Sequence, residues 1–292
     1  MTLGLLCAAL SGVMNSFLPY VFRLQGPEVD RQAGLHIVGL GIGGAVAAAL
    51  VVALGLPVGG WKFIAISCVA GVCLTANGFA YFGIVVHRGP LAISWAIVWM
   101  SVVLLSIVGW VFLKEPVRLG QPFGLVCFVA CLVTMGIASH RTSRSKGGAL
   151  APQKGFWAWM IFGLATVTVG NLLMKVKELA PPVGHSLSFV IFRCLVGATM
   201  LWVVGRLFGV KPTFDRRTRR VGLLFGLLFL VNLYLMLEGV KRLDVSVAFP
   251  VIAGSAVLTG ETITVLTGER PSKLAYLGAA FAVAAVLLVN VG

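Results

Sequence analysis

The chain has 292 residues, of which 59% are hydrophobic and only 11% charged, and its mean hydropathy is +1.01. Soluble globular domains carry about 25% charged residues, so the composition excludes a soluble enzyme or binding module and leaves an integral membrane protein. The formal net charge of +14 is no argument for nucleic acid, because orientation in the bilayer and contact with anionic lipid account for it.

A helix needs about 20 apolar residues to cross a hydrocarbon core about 30 Å thick, and runs almost free of Asp, Glu, Lys and Arg predict ten spans. Span 1, at 2–22, begins MTLGLL without a charged leader and carries Asn15, so it is expected to stay attached as a helix. Span 2, at 34–55, contains Gly39, Gly41 and Gly44 in a GxGxxG pattern. No strand precedes that pattern and no acidic residue follows at the right distance, so helix packing is its reading rather than a dinucleotide site. Span 3, at 63–86, places Asn77 and Tyr81 four residues apart; span 4, at 90–113, does the same with Trp95 and Trp99. Span 5, at 119–139, is followed by the polar stretch SHRTSRSKGGALAPQK, Ser139 to Lys154, which reads as a flexible linker. Spans 6, 7 and 8, at 155–174, 186–208 and 220–238, carry Asn171, Arg193 and Asn232 in turn. Span 9, at 245–267, holds Pro250, Ser255 and Glu261; span 10 lies at 273–291.

Adding 154 to each residue number lays the first five spans on the last five without a gap, taking Trp95 to Phe249, Ser101 to Ser255 and Glu115 to Glu269. Five crossings leave a chain on the far side of the membrane, so tandem five-helix units insert with opposite orientation, as in secondary transporters. The expected fold is therefore all-α and integral to the membrane, with ten transmembrane helices in two inverted repeats. Residues 1–139 form the first, 140–154 a basic linker and 155–292 the second. Loops after odd-numbered spans carry fifteen Lys and Arg, against seven after even-numbered spans. By the positive-inside rule the first set is cytoplasmic and both termini are not.

The end of each half has one pattern: GWVFLKEPVRLGQPFGLVCFVACLVTMGI, Gly109 to Ile137, and ITVLTGERPSKLAYLGAAFAVAAVLLV, Ile263 to Val289. Each is an apolar helix, a short Glu-containing turn with proline, then a glycine-bearing final helix. This resembles the closing signature of an EamA repeat, and SLSFVIFRCLVGATMLW, Ser186 to Trp202, is similar to the second helix of such a repeat. The ten spans, the linker and these motifs together resemble the drug/metabolite transporter superfamily. The resemblance implies a transporter, with no enzyme activity and no cofactor. Two features depart from it: Gly39 stands where the second half has Arg193, and the first helix lacks a tryptophan-glycine pair. LSGVMNSFLPYVFR and VAFPVIAGSAVL are also similar to the sugar-uptake branch of that superfamily.

Glu261 shares a helical face with Pro250, Gly254, Val257, Val265 and Gly268, at 100° per residue. Small residues there mean either close packing or an opening onto a cavity; the second makes Glu261 a candidate for proton coupling. Arg193, about 10 Å into its span at 1.5 Å per residue, is either a structural arginine bonded to helix-end carbonyls or an attractor of anionic cargo. Pro250 is a candidate helix break that frees carbonyls for cargo, or simply a helix-initiating proline. Asn15, Asn77, Tyr81, Trp95, Trp99, Asn171, Asn232 and Ser255 are candidates to line a path for a polar or amphipathic metabolite, the bland alternative being interhelical contacts and lipid-interface packing.

The six cysteines lack CxxC spacing and the four histidines do not cluster, so no metal is expected. A Walker A sequence is missing too, which removes ATP as the driving force. The expected function is secondary active transport of a small organic metabolite (an amino acid, nucleoside or drug-like solute) by alternating access, through proton coupling or exchange. A sugar or polyol permease and a channel are the alternatives. The expected partners are cargo, protons and lipid, without nucleic acid. The protein is expected to act as a monomer or weak homodimer, multi-pass in the plasma (inner) membrane.

Overall fold

A computed structural model describes residues 2–26, 28–86, 99–145, 155–266 and 272–290. In chain order the helices are α1 (Thr2–Gln25), α2 (Val29–Ala53), α3 (Trp61–Val86), α4 (Ser101–Val111), α5 (Gly120–Ser145) and α6 (Phe156–Val176). A 3-10 turn, Lys177–Leu179, leads to α7 (Ser186–Leu207), α8 (Arg216–Arg242), α9 (Val245–Leu266) and α10 (Lys273–Asn290). There is no strand among the described residues. Nine of these helices are long and apolar enough to cross a membrane. The tenth, α4, covers the end of the expected span 4; Pro90 and Trp95 lie outside the described residues.

Two boundaries differ from the sequence expectation for local reasons. Helix α8 starts at Arg216, before the apolar run, because Asp215 caps it: the carboxylate accepts from the Thr218 amide at 2.6 Å. That backbone hydrogen bond, with one from the Thr218 side chain, holds the Asp215 carboxyl below the usual carboxylate range. Helix α5 runs on to Ser145, six residues into the expected linker, because no glycine or proline interrupts SHRTSRS before Gly147.

The helices pack with an exchange symmetry. Helix α1 lies on α8 as α3 lies on α6; α2 lies on α8 as α3 lies on α7; α1 lies on α9 as α4 lies on α6. Helices α2 and α7 pack on each other, as do α5 and α10. Exchanging each helix with the one five places on reproduces these pairs, which is the packing a duplicated five-helix unit requires. The 154-residue shift carries Thr2 to Phe156, the first residues of α1 and α6, and Trp61 to Asp215, the cap of α8. Large apolar side chains such as Val52, Phe112, Phe123 and Ile161 point outward, as a lipid-facing surface demands.

Helix contacts are made through small residues, as expected where lipid removes most of the hydrophobic drive for helices to meet. A Cβ at Gly39 would run into the Phe225 ring, and one at Gly226 would stand 2.5 Å from Gly39 O. The GxGxxG segment is thus the α2–α8 crossing. The equivalent α3–α7 crossing reverses the sizes: Gly39 plus 154 is Arg193, and Gly71 plus 154 is Phe225. A Cβ at Gly71 would lie 2.7 Å from Arg193 O. One crossing takes a glycine on the second helix and a phenylalanine on the third; the other takes an arginine and a glycine. Gly39 and Arg193 thus hold equivalent places at the two crossings, Gly39 beneath the Phe225 ring and Arg193 with its carbonyl against Gly71.

Gly226→Val is expected to lower the unfolding free energy by about 1–3 kcal/mol, because its nearest obstacle is backbone. Gly41→Ala, at a position with no neighbour within 4 Å, is the control and is expected to lose no stability, helix propensity favouring alanine by about 1 kcal/mol. Denaturation in mixed micelles checks both; equal stability of Gly226→Val and wild type would refute the close crossing.

Candidate functional site

A cavity of about 200 Å³ lies between the halves, lined from α1, α2, α3, α4, α6, α7 and α8. Six of the expected residues come together on its wall: Asn15, Asn77 and Trp99 from the first half, Asn171, Arg193 and Asn232 from the second. Asn232 is held by Ser11, whose hydroxyl donates to Asn232 Oδ1 at 2.8 Å across the α1–α8 contact. Thr75 also lines the cavity, but its hydroxyl is occupied, donating to Gly197 O at 2.9 Å.

Arg193 is buried at 7% exposure, and its Nε and Nη1 are buried without a hydrogen-bond partner among the described residues. Its Nη2 lies 3.9 Å from where a Cβ on Gly170 would stand. The guanidinium therefore reaches across to the bare backbone of α6, beside Asn171. No carboxylate lines the cavity among the described residues.

Towards the end of the bundle where α2, α6 and α8 finish, the lining stops at Met174 and Met236 and polar contacts begin. Lys175 Nζ donates to Val240 O at 3.1 Å and to Leu243 O at 2.9 Å; Ser186 Oγ donates to Glu238 Oε1 at 2.7 Å, and Glu238 also pairs with Arg242. The halves meet here through the Gly60 amide on Pro182 O at 2.9 Å and the His185 amide on Pro57 O at 2.8 Å. Lys177, 1% exposed, pairs with Glu178 and lies 5.9 and 5.8 Å from the Phe63 and Phe189 ring centroids. Glu115 completes the closure by capping α9 from the other half.

Towards the opposite end the wall is aromatic. Phe22 stacks on His36 at 5.0 Å between centroids, and Phe225 lies 5.3 Å from His36 and 5.5 Å from Phe229. None of these four residues is singled out by the sequence. Their signal, aromatic residues one face apart on different helices, exists only once α1, α2 and α8 are packed.

Three expected residues do not join the lining. Ser255 sits on the α1 side of α9: a Cβ on Gly12 would lie 2.7 Å from Ser255 Cβ. Pro250 is buried in α9, which continues as helix through it, so no break opens there. Glu261 is half-buried on α9, near Cys131 of α5. A Cβ on Gly254, which shares its face, would collide with Val286 of α10. That small-residue face packs closely at Gly254, and Glu261 is not among the residues that line the cavity. Tyr81 is on α3, but its side chain, like Trp95, lies outside the described residues.

Residues 154–291 match the EamA-like transporter family. No curated protein matches the chain. Among solved structures, one described as "Crystal structure of protein" superposes with a TM-score of 0.78 at 17% sequence identity, covering 99% of this chain and 98% of that chain; at that identity it speaks for the fold. Residues 154–291 therefore carry an EamA-like transporter family domain, within a chain that is all-helical among its described residues and rich in helices of membrane-spanning length.

Proposed function

We propose that the chain is a secondary transporter of a small organic metabolite, working by alternating access. In this reading the five-helix units at 1–139 and 155–292 rock about the cavity between them. The observation that carries it is the shared wall: of the nine lining candidates named from the sequence, three from each half stand on it. A site shared between pseudo-symmetric halves is what rocking requires. The cavity is smaller than the roughly 300–1,000 Å³ typical of pockets for drug-sized ligands, which favours a small metabolite over a bulky drug. The contacts that seal the end where α2, α6 and α8 finish support one gate closed with the cavity intact. The Lys/Arg bias supports a plasma (inner) membrane orientation with both termini outside the cytoplasm, and the fused halves support a monomer as the working unit.

With no carboxylate on the described lining, exchange of one cargo molecule for another is favoured over coupling to a proton on Glu261. Purified protein in liposomes loaded with amino acids, nucleosides or carboxylic acids is expected to exchange at least one of them. Glu261→Gln is expected to exchange that cargo within about twofold of wild type, with or without a pH gradient, as substitutions away from a site do. A mutant that loses accumulation driven by the gradient would restore Glu261 as the coupling group. If no cargo moves faster than through empty vesicles, the transporter reading fails.

A further inference from the structure

We propose that Arg193 is the anchor for a single anionic group, a carboxylate, on the cargo; this rests on reading the cavity as the cargo site. A buried arginine ordinarily spends its donors on carboxylates or carbonyls, because an uncompensated buried charge is strongly unfavourable. Arg193 spends neither Nε nor Nη1 on any described residue, although it is 7% exposed and on the cavity wall. Its planar fork matches a carboxylate through two parallel N–H···O bonds.

The surroundings agree with that assignment. Asn232 has its Oδ1 occupied by Ser11, so its amide nitrogen, a donor, is the group left for a ligand. Gly170 keeps α6 free of a side chain beside the guanidinium, where even a Cβ would come within 3.9 Å of Nη2. Towards the other end, Phe22, Phe225 and Phe229 form an apolar wall. A small molecule with a carboxylate at one end and an apolar body at the other satisfies both. Charge decides against a doubly charged phosphate: Arg193 is the one permanent cation on the described lining, and a dianion there would leave one charge uncompensated.

The test uses the full-length protein in a neutral detergent, with thermal unfolding read against matched pairs of acid and neutral amide: acetate and acetamide, phenylacetate and phenylacetamide, butyrate and butyramide. Sodium phosphate and short-chain phosphatidylglycerol are the inorganic and lipid arms. At least one acid is expected to raise the unfolding midpoint of wild type where its amide does not. Arg193→Gln is expected to raise the half-saturating concentration of that acid about 30-fold or more, as truncating one member of a buried hydrogen-bonded charge pair does; Arg193→Lys is expected to fall between.

A second readout separates this from a structural arginine. Without ligand, Arg193→Gln is expected to unfold at a temperature no lower than wild type, because Nε and Nη1 have no hydrogen bond to lose. Marked destabilisation of the unliganded variant, equal effects of acids and amides, or stronger stabilisation by phosphate or phosphatidylglycerol would each overturn the proposal. If neutral solutes are exchanged and no acid binds, the anion site falls and the transporter reading stands. If acids bind through Arg193 and no cargo crosses the vesicle, the transporter reading falls and the anion site stands.

Discussion

Replacing Glu115 by alanine is expected to lower the unfolding free energy by about 3 kcal/mol, through the orphaning of two buried amides and the loss of a charged helix cap. Glu115 follows α4 in the chain but serves α9. Its Oε1 accepts from the Val245 amide at 2.7 Å, and its Oε2 from the Ser246 amide at 3.0 Å and the Ser246 hydroxyl at 2.9 Å. The carboxylate is 8% exposed and both recipients are fully buried, so water does not readily replace it. A negative group at the start of α9 also complements the helix dipole. The neighbourhood is shaped for it: a Cβ on Gly109 would lie 2.5 Å from Glu115 Oε2, and Lys114 takes a left-handed φ of 54° that turns the chain back over the end of α4.

Glu115→Gln keeps one acceptor and turns the other into a donor facing a donor, so an intermediate loss is expected. Gly109→Ala is expected to act in the same direction by displacing the carboxylate. Thermal unfolding and denaturation in mixed micelles measure all three. A loss below about 0.5 kcal/mol for Glu115→Ala, the size typical of an ordinary surface substitution, would refute the capping account. Because this cap joins the first half to the second at the sealed end, the same variant is also expected to make a cysteine placed at Met174 more reactive towards a water-soluble thiol reagent.

The path to this cap shows what a sequence reveals and what it withholds. The helices were legible because membrane length and the absence of charge are local properties, and the 154-residue shift because duplication preserves them. The asparagines were legible too. An amide in hydrocarbon needs partners, so Asn15, Asn77, Asn171 and Asn232 had to face the bundle interior, and all four reach one cavity. Glu261 was different: the helical wheel identified its face but not the helix opposite, and α10 fills the space beside Gly254. Ser255 went the same way, against α1 at Gly12. Glu115 lay in a turn between spans, with recipients 130 and 131 residues away, and no local pattern announces such a contact. The aromatic wall of Phe22, His36 and Phe225 is of the same kind.

Gly78→Leu is expected to fold as well as wild type while reducing exchange to the level of empty vesicles. Gly78 lines the cavity next to Asn77, and the nearest atom to a Cβ built there is Leu201 Cδ1 at 3.7 Å, an ordinary contact. A larger side chain is therefore not forced against backbone, and it projects into a void of about 200 Å³ that a cargo molecule needs. Helix propensity alone favours leucine over glycine by about 0.6–0.8 kcal/mol in an α-helix interior, so stability should rise slightly as transport is lost. Opposite changes in stability and function distinguish a filled site from a damaged fold. Gly41→Leu makes the same chemical change where nothing lies within 4 Å and the cavity is not reached; it should leave exchange intact. Should Gly78→Leu exchange cargo like wild type, cargo does not pass through this cavity, and Arg193, Asn171 and Asn232 lose their proposed role with it.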